Sequence, residues 1–538
     1  MRYNPLATDG YQAIVQRHHV GTLLAKMIAG QGLTDDQTAS FLNAPSVIGL
    51  QAAPCLDQAF EELENLRREG ARVFIFGDYD CDGLCGTALM YRALTSFGLQ
   101  CGYYVPNRRT EGYGLNQERL SQAYAKGYRA LVTVDNGVSA AGPLGWARQH
   151  GMRSIVTDHH VIAQDVDCDV LIHPSRLGGD ESWLCGTGVA LALAQRLGVR
   201  DEIDDVLAMV ATIGDVMELQ GQNVAIVREG LQSFNQGRFP NFTALADAAR
   251  LPMTAEDVAF RIVPRLNAVG RMADVADPNK VVAFLLSHDQ AQIEGYARQI
   301  EQLNVMRQRM TAEQLPLLQA MPVPVEGIAV YYHPDLHEGL LGLMAGRLAS
   351  DLGRPVIVLT VTDGAVRGSG RSQPGYDITQ ALTGFKDRLT AFGGHQQACG
   401  LAMPTEQLEP FMRFAASRPV AGLRQPAQGY VSLTMSDLTY DNLSELMSQQ
   451  PLGQGRRLPL VGVTIGPGCD FRMLRNEHQL KWTMDLDRGR LAVLSFRDNE
   501  GFQAYQDYGA LNAIGQLRAN VYKGRVGYDL MSEIIEKR

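Results

Sequence analysis

Short apolar runs recur along the first third of the chain, and each ends in a polar loop. Val73-Phe74-Ile75-Phe76, Leu131-Val132-Thr133-Val134 and Ser154-Ile155-Val156-Thr157 are brief, rich in β-branched and aromatic residues, and followed at once by Asp, Asn, Gly or His. That pattern predicts buried strands. Residues 71 to 175 read β-α-β-α-β-α-β: a strand to Phe76, a helix from about Gly86 to Phe97, a strand at Cys101–Val105, then two more helix–strand steps. Strands alternating with helices form a parallel sheet. Loops past the carboxyl ends of its strands gather on one edge, so whatever chemistry they carry is brought together there.

The pattern changes along the rest of the chain. Residues 1–55 read as a helical N-terminal extension ending at Ala53-Pro54, and a mostly helical stretch runs from Gly188 to Ala283. Between His288 and Met321 the chain is polar and Gln-rich, with Ile293, Ala297, Ile300, Leu303 and Met306 close to 3.6-residue spacing. That spacing predicts one long helix bridging two domains. A second α/β block begins near Val325 and includes Ile328-Ala329-Val330 and Val356-Ile357-Val358-Leu359. After Pro426, short alternating runs such as Leu480–Met484 and Arg490–Phe496, separated by turns, predict a small β-barrel or sandwich. The expected fold class is α/β: a parallel-sheet domain (56–287), a linker helix (288–321), a second α/β domain (322–420) and a small C-terminal β-barrel (426–538).

Composition narrows the class. A chain of 538 residues, 45% hydrophobic and 20% charged, is ordinary globular material built from several domains. No apolar run approaches the roughly eighteen residues of a membrane span, and no apolar segment follows the N-terminal Met1-Arg2-Tyr3-Asn4-Pro5. Eight cysteines without a C-x-x-C pair suit reduced thiols, so a cytoplasmic protein without a membrane partner is expected. The net charge of −9 argues against coating nucleic acid with the whole surface. From residue 421 onward the balance is 14 Lys/Arg against 13 Asp/Glu, so the acidity lies in the first 420 residues. A nucleic-acid partner would have to use local patches.

The loops carry the candidate chemistry: Asp78-Tyr79-Asp80-Cys81-Asp82-Gly83, Asp135-Asn136-Gly137, Asp158-His159-His160, Asp215 and Gly393-Gly394-His395. An EF-hand loop starting at Asp78 would need a Glu at its twelfth position, which is Leu89, and a helix before it where this chain has a strand. Asp80-Cys81-Asp82-Gly83 also fits phosphatases with an aspartyl nucleophile, but that reading leaves Asp158-His159-His160 and the later His395 unexplained. One D-x-D alone is commonly a solvated acidic loop; further Asp-bearing loops on the same sheet edge argue otherwise. Carboxylates with one imidazole form a hard donor set suited to Mn²⁺ or Mg²⁺. Two such ions would share a bridging carboxylate, for which Asp135 and Asp215 are the candidates, and would activate water for attack on phosphorus.

These motifs resemble the DHH phosphoesterase superfamily, and within it the branch of bacterial single-strand-specific exonucleases. The resemblance covers nearly the whole chain. It is carried by Asp78–Gly83, Asp158-His159-His160, Ile213-Gly214-Asp215-Val216, Pro264–Arg271, His337–Gly342, Arg367–Ser372 and Phe392–His395, in family order. It implies Asp80, Asp82, Asp135, His159 and Asp215 as ligands of two Mn²⁺ or Mg²⁺ ions. His160 would contact the scissile phosphate, with Asp78 as auxiliary ligand or support. Arg271, Ser369, Arg371 and His395 would hold the substrate end and its phosphates from a DHHA1-like second domain, and the C-terminal domain would be an OB-like barrel. Trp482, Tyr522, Arg518, Lys523 and Arg525 are its candidates for stacking and phosphate contact; a buried core aromatic is the plainer reading of Trp482. Leu303-Asn304 and Arg307-Gln308 match family positions suited to orienting the two domains. Where other branches carry a His before the acidic motif this chain has Phe76, which implies one fewer ligand for the first ion.

The expected activity is 5′→3′ hydrolysis of single-stranded DNA in repair and recombination by a monomer, with a single-strand-binding protein or a helicase as delivery partner. A phosphodiesterase of short oligonucleotides or cyclic dinucleotides is the second reading, and a catalytically silent nucleic-acid-binding scaffold the third.

Overall fold

The alternating apolar runs at 73–76, 131–134 and 154–157 become the centre of a five-stranded parallel sheet. Its order is Gln100–Tyr104, Arg72–Phe76, Tyr128–Val134, Arg153–Thr157, Val170–Ile172. The computed structural model describes residues 3–50, 52–246, 252–322, 326–420, 428–466, 469–474, 479–496, 510–522 and 525–537, with backbone alone at 180, 521, 522, 525, 526, 536 and 537. Successive strand residues point to opposite faces, and both faces are covered. Val73, Ile75, Val132 and Val134 pack with the helices Cys81–Ser96 and Gly186–Arg196. Phe74, Phe76 and Leu131 pack with Leu120 and Leu144 on the helices Gln117–Ala125 and Ala141–Gln149. Burial on both faces is why these strands read as nearly continuous apolar runs. The chain leaves Arg72–Phe76 to one side and later returns on its other side, so a crevice opens at the carboxyl ends of Arg72–Phe76 and Tyr128–Val134.

The first crossover helix starts earlier than its apolar periodicity indicates, at Cys81 and not near Gly86. Asp80 caps it by accepting from Gly83 N–H at 3.0 Å. An acidic N-cap, Asp80, and an acidic residue in the first turn, Asp82, hide the start of the helical pattern, yet they suit its positive end. The bridging helix spans Gln290–Gln319 and buries Ile293, Ala297 and Ile300, while Met306 is exposed.

Beyond it lies a second five-stranded sheet, ordered Ala391–His395, Ala398–Pro404, Ala365–Arg371, Val356–Thr362, Ala329–Tyr332. Only the last two strands pair in parallel. The register sets Arg371 opposite Ala398, which in turn faces His395, so Arg371 and His395 stand in one cross-strand row.

The C-terminal region is an eight-stranded mixed sheet, compatible with an OB-like domain. Its first strand is Tyr3–Pro5, which pairs in parallel with Gln428–Leu433. Leu23, Leu24 and Ile28 of the helix Thr22–Gln31 share a core with Val461, Trp482 and Leu491. The N-terminal segment is therefore largely helical; its helices up to Phe41 complete the C-terminal core, while Ile48, Leu50 and Ala53 pack into the catalytic one. Pro54 opens the helix Pro54–Glu69, where its fixed φ and missing N–H cost nothing.

Trp482 is fully buried in that core, so it offers no stacking surface. Arg518 is held by Glu256 at 2.7 Å. The side chains of Tyr522 and Arg525, and Lys523 altogether, lie outside the described residues. Among the described residues no helix is long and apolar enough to cross a membrane.

Candidate metal centre and phosphate cleft

Three strand ends and one helix end deliver the acidic residues to a single crevice. Asp78, Asp80 and Asp82 follow Arg72–Phe76, Asp135 follows Tyr128–Val134, His159 and His160 follow Arg153–Thr157, and Asp215 caps the carboxyl end of the helix Glu202–Gly214. His159 Nε2 lies 3.1 Å from Asp135 Oδ1, 3.6 Å from Asp215 Oδ2 and 3.7 Å from Asp82 Oδ2. Three overlapping sets place their ligand atoms within 4.8 Å of one another: Asp78–Asp80–Asp135, Asp135–His159–His160 and Asp82–His159–Asp215. Asp135 belongs to two of these sets and Asp215 to one.

Local structure fixes each group. Both oxygens of Asp82 accept backbone N–H bonds of 2.8 Å from Gly186 and Thr187, at the N-terminus of Gly186–Arg196. Asp135 takes a left-handed backbone, φ 61°, uncommon for a residue with a Cβ. Gly186 makes room for it, since a Cβ there would sit 2.6 Å from the Asp135 Cβ. Asp158 lies beneath the pair of histidines, accepting from Val138 N–H at 3.0 Å, His159 N–H at 2.8 Å and the His160 ring at 2.8 Å.

The charges show what the centre would hold. Burial, reinforced by neighbouring carboxylates, pushes Asp78 and Asp135 well above the usual carboxylate range and Asp80 upward. The same causes push Asp215 up to about 8. His159 is lowered by burial. Burial also works against a charge on His160, but the Asp158 hydrogen bond and surrounding carboxylates prevail and raise it to about 9. Asp158 is lowered in return: burial works to raise it, but the bond and charge of His160 and the backbone N–H groups of Val138 and His160 together prevail. Asp78 Oδ1 and Asp135 Oδ1 are buried without a hydrogen-bond donor. Orphaned carboxylate oxygens in mutually repelling company require a cation, and an oxygen-rich set with one or two imidazoles fits Mn²⁺ or Mg²⁺. Phe76 is fully buried against Phe74 and Tyr104 and supplies no ligand.

Across the crevice the charge reverses. Arg271 is lowered to about 10, first by burial and then by Arg108, Arg307 and Arg371. Arg371 donates to Ser369 Oγ at 2.9 Å, and His395 is lowered by burial and by Arg371. The two domains meet closely here, for a Cβ on Gly339 would lie 1.8 Å from the Arg271 carbonyl oxygen. The candidate metal and phosphate residues named from the sequence thus fall on two facing walls, one acidic and one basic, whereas the candidates of the C-terminal domain do not join them.

Several contributors escaped sequence reasoning. Arg108 lies in the loop after Gln100–Tyr104, at the same sheet edge, which is the one signal that could have found it. Tyr113 reaches His160 Nδ1 at 3.2 Å. His173 accepts Ser175 N–H on Nδ1 at 3.1 Å, so its Nε2–H is free to donate to the His160 carbonyl at 2.9 Å. Nothing in the sequence marks His173 apart from its place after a short strand.

A parallel sheet with an Asp/His centre at its switch point, facing an arginine-lined second domain, defines a metal-dependent phosphoesterase. Residues 72–214 match the DHH family, N-terminal domain, and residues 326–418 match the DHHA1 domain. A single-stranded-DNA-specific exonuclease RecJ of Thermus thermophilus is 32% identical over 490 residues, covering 90% of this chain and 71% of the relative. Its crystal structure with Mn²⁺ superposes with a TM-score of 0.80 at 26% identity, over 100% of this chain and 79% of that one. The Mg²⁺ complex gives 0.74 at 25% identity, over 100% and 78%. The chain belongs to the RecJ family.

Proposed function

We propose that this chain is an exonuclease that hydrolyses single-stranded DNA from its 5′ end in DNA repair and recombination, using two divalent ions. The observation that carries this reading is the pairing of the walls: Asp78, Asp80, Asp82, Asp135, His159 and Asp215 on one side, Arg271, Arg371, Ser369 and His395 on the other. Bound ions would polarise a phosphoryl oxygen and supply hydroxide at neutral pH. The chain's own residues do the rest. Asp80, Asp82, Asp135, His159 and Asp215 hold the ions, with Asp78 beside them. The guanidiniums of Arg271 and Arg371 grip backbone phosphates, bidentately where geometry allows. His160, held through Nδ1 by Asp158, turns its other ring nitrogen to the scissile phosphate, where an N–H would offset charge developing there. A crevice between two domains joined by one helix admits a single strand and excludes a duplex.

Residues 56–287 carry the chemistry in this reading, 288–321 the bridge, 322–420 the phosphate grip and 426–538 the strand-binding barrel, while the N-terminal extension of residues 1–55 supplies helices to the barrel's core. A monomer acting in the cytoplasm, on strands presented by a single-strand-binding protein or a helicase, is part of the same proposal. The test digests 5′- and 3′-labelled single strands, a blunt duplex and a matched RNA with Mn²⁺, Mg²⁺ or chelator. Metal-dependent release of mononucleotides from the 5′ end of the DNA strand alone is expected. Equal attack on the duplex, or full activity after exhaustive chelation, would overturn it.

A further inference from the structure

Three exposed apolar side chains crowd the mouth of the metal centre, and the chemistry above uses none of them: Tyr113 is 50% exposed, Val161 85% and Val216 64%. Val161 directly follows His160, and Val216 directly follows Asp215. Val216 adopts φ 56°, a left-handed backbone that a β-branched residue rarely takes. Strain of this kind persists only where the surrounding structure enforces it. Here the left-handed turn closes the helix Glu202–Gly214, with Val216 N–H donating to the Ile213 carbonyl at 3.2 Å and Met217 N–H to the Thr212 carbonyl at 3.1 Å, and it leaves the Val216 side chain exposed beside a candidate ligand.

Tyr113 is placed with more care than an ordinary surface aromatic. Glu111 pins the loop just before it, accepting from the Tyr104 hydroxyl at 2.7 Å, Asn107 N–H at 2.9 Å and Arg119 Nε at 2.7 Å. Beyond that anchor the hydroxyl of Tyr113 enters the centre, 3.3 Å from the Asp135 carbonyl oxygen and 3.2 Å from His160 Nδ1. His160 Nδ1 already gives its proton to Asp158 at 2.8 Å. The phenol O–H therefore donates to the Asp135 carbonyl, and the phenol oxygen lies against the edge of the His160 ring. The Tyr113 and His160 rings meet in a T-shaped pair, with centroids 5.6 Å apart and planes at 64°, and half of the Tyr113 surface stays open to solvent.

We infer that Tyr113 is a specificity-determining residue whose ring is the platform for the base of the nucleotide being removed. This inference rests on the exonuclease reading. A tethered hydroxyl fixes the ring relative to His160, so a base stacked on it would set the scissile phosphate in register with the centre. Every base has a π-face, so such a platform detects that a base is present and not which base it is.

The test compares KM and kcat of the wild type, Tyr113→Leu and Tyr113→Phe with Mn²⁺. The substrates are 5′-phosphorylated strands that end in an ordinary nucleotide or in an abasic tetrahydrofuran residue. Wild type should show a KM about ten- to a hundredfold higher on the abasic end, the equivalent of one stacked base. Tyr113→Leu should bring the ordinary end to the abasic level. Tyr113→Phe should keep the discrimination while kcat falls, because the ring remains and the hold on His160 is lost. Wild-type discrimination in Tyr113→Leu, or its loss in Tyr113→Phe, would overturn the assignment. A wild type that cuts both strands with equal KM overturns this inference alone, and one that cuts neither overturns the exonuclease reading with it.

Discussion

Replacing Arg371 by Ala should separate capture of the strand from the chemistry done on it. Nη1 of Arg371 is held by Ser369 Oγ at 2.9 Å and the Gly370 carbonyl at 2.8 Å, which aims the guanidinium before any substrate arrives. Burial lowers its pKa, and Arg108 adds to the effect. A phosphate in the crevice relieves both costs, so the contact belongs to the stronger, charge-assisted class. Losing such a contact costs about 1.5–3 kcal/mol, or about a ten- to hundredfold loss in affinity. The dependence of binding on salt should weaken as well, by a log–log slope of about 0.7 for one phosphate contact on a single strand. Mn²⁺ binding should be unchanged, because no candidate ligand lies in the 365–371 strand. Anisotropy of a short labelled strand at several salt concentrations gives the first quantities, and calorimetric Mn²⁺ titration gives the second. A mutant with normal strand affinity and weakened Mn²⁺ binding would refute this division of labour between the two walls.

Asp135→Ala should reduce turnover to background while strand affinity and the thermal transition hold, since the lost Oδ1 has no hydrogen-bond donor to abandon; near-normal turnover would remove Asp135 as the shared ligand. Mn²⁺ affinity should climb about tenfold per pH unit for each displaced proton and level off above about 8, where Asp215 is already ionised; calorimetry in buffers of different ionisation enthalpy counts those protons, and none released at pH 6–7 would contradict the assignment. In the metal-free protein the sign is opposite. The raised Asp215 stabilises the fold most below the ordinary carboxylate pKa of 3.8, and that contribution is lost as pH rises through about 8, so melting with chelator present should weaken over that window. Trp482→Ala should destabilise the C-terminal sheet by about 3–5 kcal/mol through the cavity it leaves, read as an earlier melting transition, with strand affinity of the folded protein unchanged.

Much of the catalytic half was determined by local pattern. Strands buried on both faces announce themselves as short apolar runs, and a parallel sheet sends every following loop to one edge, so Asp78, Asp80, Asp82, Asp135, His159 and His160 could be grouped from sequence alone. The long helix was legible because its apolar stripe keeps one period over several turns. What the sequence could not supply is everything that depends on surfaces meeting. The pairing of Tyr3–Pro5 with Gln428–Leu433 joins segments more than four hundred residues apart through backbone hydrogen bonds, which leave no mark on side-chain pattern. The burial of Trp482 follows from that shared core. The start of the helix at Cys81 was hidden because Asp80 caps it and Asp82 and Gly83 interrupt the apolar pattern of its first turn. Arg108, Tyr113 and His173 sit in loops whose local sequence is unremarked. They belong to the centre because tertiary packing carries them there, within hydrogen-bond and Coulomb range of groups tens of residues away.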